Sequence, residues 1–180
     1  MAEKVSIFID GSNLYNNLKE YKIKVKFEDI LKKLENKRKV KDIFYYTALL
    51  DKDYNPEGYK KHNKFLDKIK IIPNFIIRLC NLRKTILKDG TIQFDIKGDD
   101  IYLATDLIKG AYENLYDIAI IVSGDEDFIP AIKVVQTNSK KVINAFFPKS
   151  SSYLLRKTCN GSINLKKALS EKSSPNMTES

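Results

Sequence analysis

The sequence predicts an α/β fold: a mostly parallel sheet covered by helices on both faces. Two observations point there. Strand-length apolar runs alternate with segments of helical periodicity along the 180 residues. Several of those runs are apolar throughout rather than at every second position, which is the pattern of strands buried on both faces. A third observation concerns where the runs stop. Sites in such sheets form beyond the carboxyl ends of the strands, and here the apolar runs end in acids.

The first run, "KVSIFIDG" over 4–11, has Val5, Ile7, Phe8 and Ile9 and closes on Asp10-Gly11, as a central strand would. A helix is expected over 12–20, starting near Ser12. Phe27, Ile30, Leu31 and Leu34 then recur at helical spacing over 27–38. "VKDIFYYTALL", 40–50, reads as a second strand. A polar excursion over 51–58 leads into a lysine-rich helix that runs to about 68. "KIIPNFIIRL", 70–79, is a strand interrupted or started late by Pro73. In 83–96 the turn Lys88-Asp89-Gly90 separates alternating residues, which predicts a hairpin.

A helix follows over 97–115, with Ala104, Leu107, Ala111 and Leu115 on one face. The remaining elements are a strand at 118–122, a helix at 128–137, a strand at 141–147 and a short helix at 150–158. Pro130 falls in the first turn of its helix, where it is tolerated. Gly124 is expected to let the chain turn tightly. The domain is expected to occupy 1–169. From 170 to 180 the chain is polar, ends "SSPNMTES", and reads as a disordered tail.

Composition narrows the chemistry. The net charge is +9, from 32 Lys plus Arg against 23 Asp plus Glu, which favours a polyanionic partner such as nucleic acid. Two cysteines, Cys80 and Cys159, are too few for a disulfide framework or a structural zinc site. With His62 the only histidine, a site built on several histidines is excluded. A metal would need oxygen ligands, which suits Mg²⁺ or Mn²⁺. No apolar run reaches membrane-spanning length, and the first residues do not resemble a signal peptide. The expectation is a cytoplasmic protein.

The acids stand at three strand-end positions. Asp10 closes the first strand, Asp125 and Asp127 follow the strand at 118–122, and Asp99 and Asp100 open the helix leading into that strand. At about 100° per residue, Asp100 falls near the apolar stripe and Asp99 away from it. The expectation is therefore Asp100 inward and Asp99 outward, with Asp106 on the flank and Glu126 pointing away. One helix cap accounts for one carboxylate, but not for four. Converging carboxylates repel one another unless a cation is present, and a divalent ion there could activate water against a phosphodiester. Asn13 and Ser123 would support it, although Ser12 and Ser123 have capping as their simpler role. Lys97 and the cluster Arg78, Arg83, Lys84 and Lys88 would hold a nucleic-acid backbone. Lys149, Arg156 and Lys157 add charge along a rim. Tyr15, Tyr46 and Phe128 read as packing residues.

Four stretches, "IDGSN" (9–13), "KGDDIYLATDLI" (97–108), "IVSGDEDFIPAI" (121–132) and "SSSYLLRKTCNGSINL" (150–165), resemble the bacterial NYN domains of the LabA-like group, in the PIN-like nuclease superfamily. The resemblance implies a Rossmann-like, three-layer sandwich around a mostly parallel sheet of about five strands. It implies Asp10, Asp100, Asp125 and Asp127 as catalytic acids binding Mg²⁺ or Mn²⁺, with Asn13 and Asp106 supporting. The implied activity is endonucleolytic cleavage of RNA. A non-catalytic RNA-binding or regulatory module, or a nuclease acting on DNA, are the alternatives. A homodimer would lengthen a groove. Asp99 stands where the family pattern has a small apolar residue, and Asn160 where it favours Asp.

Overall fold

The computed structural model describes residues 3–36 and 38–171. Seven strands form the sheet, where about five were expected: β1 (Val5–Asp10), β2 (Val40–Ala48), β3 (Phe75–Ile86), β4 (Ile92–Lys97), β5 (Ile118–Val122), β6 (Lys141–Phe146) and β7 (Gly161–Asn164). Their order is β4-β3-β2-β1-β5-β6-β7. All neighbours run parallel except β3 and β4, so the sheet is mixed.

Both additions have a local cause. The strand expected at 70–79 and the first arm of the expected hairpin are one element, β3. Its residues 75–80 pair with β2 and its residues 81–86 with β4. β7 has only four residues, too few to show a period. It is secured by Asn160, whose Oδ1 accepts from the Val142 amide at 2.8 Å and from Gln136 Nε2 at 3.1 Å.

Among the described residues, seven α-helices flank the sheet: α1 (Gly11–Glu20), α2 (Phe27–Glu35), α3 (Pro56–Lys70), α4 (Asp99–Tyr112), α5 (Ile129–Thr137), α6 (Tyr153–Thr158) and α7 (Leu165–Ser170). The residues from 172 onward in the expected tail lie outside the described residues; Ser170 closes α7. Caps set several starts. Asn55 accepts from the Gly58 amide ahead of α3, and Ser152 from the Leu155 amide ahead of α6.

Strand alternation divides the core into two. Val5, Ile7 and Ile9 of β1 and Ile118, Ile120 and Val122 of β5 pack with Leu14, Ile30, Leu34 and Leu66, under α1, α2, α3 and α7. Phe8, Ala119 and Ile121 face the other way, against Leu103, Leu107, Ile132 and Leu155 of α4, α5 and α6. The next residues along the second face are the polar ones, Asp10 after Phe8 and Ser123 after Ile121.

The chain winds outward through β2 and β3, then returns to place β5 on the other side of β1. The reversal of strand order therefore lies between β1 and β5, where the carboxyl ends diverge and open a crevice. No helix among the described residues is long and apolar enough to cross a membrane.

Candidate functional site

Asp10 ends β1 at this crevice and is buried, 8% exposed. Its Oδ1 accepts the Asn13 amide at 2.9 Å, capping α1. Its Oδ2 accepts the Ser123 hydroxyl at 3.1 Å. Gly11 makes this corner possible: a Cβ there would lie 2.6 Å from the Tyr46 carbonyl oxygen. Burial raises the Asp10 carboxyl above its ordinary range. The two hydrogen bonds oppose that shift, and the charges of Asp99 and Asp125 add to it.

The β5 end is built the same way. Ser123 is buried, and its oxygen also accepts the Asp125 amide at 3.2 Å. It thus joins two site strands rather than capping a helix. Asp125 Oδ1 accepts the Asp127 amide at 2.9 Å, which caps the 3₁₀ turn Glu126–Phe128. Gly124 has no positive φ. What it provides is room rather than a turn, since a Cβ would meet the Ser150 carbonyl oxygen at 2.1 Å. The Ser152 amide donates to the Gly124 carbonyl at 3.0 Å, latching the β6–α6 loop onto this corner. Glu126 turns toward that loop and accepts the Ser152 hydroxyl at 2.8 Å. Asp125 is half-buried and Asp127 exposed.

From α4 come two acids. Gly98, at φ 88, turns the chain into the helix, and Asp99 and Asp100 occupy its first turn, where the helix dipole favours negative charge. Burial raises Asp100 to about 6, helped by the charges of Asp99, Asp10, Asp125 and Asp127. Asp99 is not turned outward as expected. It is half-buried, and its charge acts on Asp10, Asp100 and Cys80. Side chains in a first turn lean past the helix end, so their angle around the axis does not set which way they face. The signal that could have found Asp99 was its place as a charge where the family pattern has a small apolar residue. Cys80 of β3 borders the same acids, and burial followed by the Asp99 charge pushes its thiol up to about 11.

Asp106 is engaged differently. One oxygen, Oδ2, accepts both the Tyr46 hydroxyl at 2.9 Å and Arg78 Nε at 3.1 Å. Tyr46 and Phe128 are buried, as expected, whereas Tyr15 is 64% exposed and packs little. Arg78 is thereby tied to a carboxylate.

The other expected cations do not form one stripe. Arg83 and Lys84 are successive residues of β3 and point to opposite faces. Lys97, opposite Asn81, shares the face of Arg83. Lys88 is exposed near the hairpin turn. On the far rim Lys149 pairs with Glu20 at 3.3 Å, Arg156 lies over Phe146 and Lys157 is exposed. His62 sits on α3, across the sheet from the acids.

Among the described residues, no three His, Cys, Asp or Glu side chains are gathered closely enough to hold an ion between them. Chemically the set still fits a hard divalent cation. Every donor is a carboxylate, and Asp10 and Asp100 are raised partly by neighbouring acids, a cost that a cation would relieve.

Fold and site together define an α/β protein with a mixed sheet and several carboxylates, not gathered around one point, near its strand-order reversal. The NYN domain model matches residues 4–166, and the chain belongs to this family, within the PIN-like superfamily. Among solved structures it is similar to VPA0982, a protein of unknown function from Vibrio parahaemolyticus. The two share 20% identity with a TM-score of 0.67, over 93% of this chain and 95% of the other. No curated protein matched.

Proposed function

We propose that the chain is a metal-dependent endoribonuclease hydrolysing RNA phosphodiester bonds. The observation that carries this reading is the set of acids from three separate elements, acting on one another's charge at the sheet's reversal point. Asp10, Asp100, Asp125 and Asp127 would hold Mg²⁺ or Mn²⁺. The bound ion would supply an activated water and neutralise charge developing on the phosphate. Asp10 is held at two oxygens by Ser123 and Asn13, so its direction is fixed before substrate arrives. Asp125 is held through its amide, and its Oδ1 is occupied by Asp127. Asp100 and Asp99 lie on the helix end facing both. Lys84, on the β3 face that Cys80 presents to the α4 side, would bind backbone phosphates, while Lys97 and Arg83 share the opposite face. Arg78 would contribute charge while bound to Asp106.

A second reading is a non-catalytic RNA-binding module. It is favoured by the carboxylates not being gathered around one point. Cleavage of matched RNA and DNA strands, with Mn²⁺ or EDTA, separates the readings. The expected result is RNA cleavage that stops in EDTA and falls by orders of magnitude in Asp10→Asn and Asp125→Asn. Undiminished cleavage in those variants would refute the site. Binding in EDTA with no cleavage under any condition would select the module, and cleavage of the DNA strand alone would change the substrate.

A further inference from the structure

Asn144 of β6 has no part in the chemistry above, yet it is the most completely buried polar side chain near the acids, 0% exposed. It stands opposite Ile121 in the β5–β6 ladder and points to the α4–α5–α6 face, the side of Ser123 and Asp10. Its Nδ2 donates to the Ser123 carbonyl at 2.8 Å and to the Ile121 carbonyl at 3.3 Å. Its Oδ1 has no protein partner. An apolar residue would fill this position without leaving a buried acceptor unmatched, and an orphaned acceptor is costly. What the amide contributes here is therefore its two donors.

Those donors act on the last residues of β5, where the ladder ends and the chain turns toward Asp125. Fixing the Ser123 carbonyl fixes the Ser123 backbone. The Ser123 hydroxyl has one proton, which goes to Asp10 Oδ2, and its lone pairs accept the Asp125 amide. One side chain thereby sets the spacing between an acid of β1 and an acid of the β5 loop. We propose that Asn144 is a positioning residue for the acid cluster, acting through Ser123 on Asp10 and Asp125. The part of this inference that concerns an ion rests on the metal reading above. The part that concerns geometry does not.

The test uses Asn144→Leu, close in size and without donors, and Asn144→Thr, which keeps one donor and suits a strand if the leucine variant folds poorly. Hydrogen exchange of the metal-free protein reads geometry: the Asp125 amide should exchange at least about tenfold faster in the variants, while the amides of β1 hold. Unchanged Asp125 protection overturns the proposal whether or not an ion binds. Calorimetric titration with Mn²⁺ reads the consequence. Loss of a residue that orients a ligand weakens affinity by about 10–100-fold. Asn144→Leu and Ser123→Ala should each do so, and the double variant should be no weaker than the worse single one, because both act along one path. Independent, multiplying losses overturn the proposal. If wild type takes up no Mn²⁺ while the exchange result holds, the metal reading falls and the positioning role stands.

Discussion

Replacing Asp100 with asparagine keeps the size of the side chain and removes its charge. Asp100 titrates near 6 in the folded protein against 3.8 in an open chain. At about 1.4 kcal/mol per unit the difference is about 3 kcal/mol. Solvent screening of a half-open carboxylate reduces it to about 1–2 kcal/mol. The sign follows from proton binding. Below about 3.8 both states hold the proton and the aspartate costs nothing. Between 3.8 and 6 the folded state keeps a proton that the unfolded state has released, so stability falls as pH rises. Above about 6 the full cost is present. An asparagine at this position mimics the protonated acid and escapes it. Without metal, Asp100→Asn should melt about 2–8 °C above wild type at pH 8, since 1 kcal/mol is worth about 2–4 °C in a chain of this size. At pH 3.5 the two should melt together. Saturating Mn²⁺ at pH 8 should reverse the order, because only the wild type gains from full coordination. Differential scanning fluorimetry across pH reads all three. A gap independent of pH, or a D100N protein less stable than wild type at pH 8 without metal, would refute the argument that burial, with the neighbouring charges adding to it, strains this carboxylate.

Three further outcomes are expected. Gly124→Ala drives a methyl into the Ser150 carbonyl and should cost about 1–3 kcal/mol in urea denaturation, with Mn²⁺ affinity reduced as the β5 corner shifts. Asp106→Ala strands the buried Tyr46 hydroxyl and should cost about 1–3 kcal/mol, while changing Mn²⁺ affinity less than twofold. Lys84→Gln should lower the slope of log affinity for single-stranded RNA against log salt by about 0.7, and Arg83→Gln and Lys97→Gln, on the opposite face, should leave it unchanged.

The placement of the candidate acids at strand ends is legible in the sequence because parallel topology is. A buried strand must stop, and charges immediately past its stop are conspicuous, which is how Asp10 and Asp125 stand out. The family resemblance ties them to Asp100 and Asp127. What escapes depends on relations between distant segments. Asn144 reads as an ordinary polar interruption of a strand until Ser123 is beside it. The Arg78–Asp106–Tyr46 contact joins three elements, and spacing along any one of them is silent about it. Arg83 and Lys84 look like one basic patch in the sequence, and the two-residue period of a strand pulls them apart. β3 reads as two elements because its partner changes midway, which alters exposure without breaking the strand.

The adjacency of β1 and β5 also has a consequence for the order of synthesis. Within this domain β1 precedes every other strand, yet one of its two partners, β5, comes after three more. A growing chain can lay β1 against β2, but Asp10 then has no Ser123 beside it, and its crevice has no second wall until residues beyond 122 join the sheet. Non-local pairings of this kind form late. Whatever the acids do waits on β5 and the loop after it, so a chain cut short before β5 would lack one wall of the crevice.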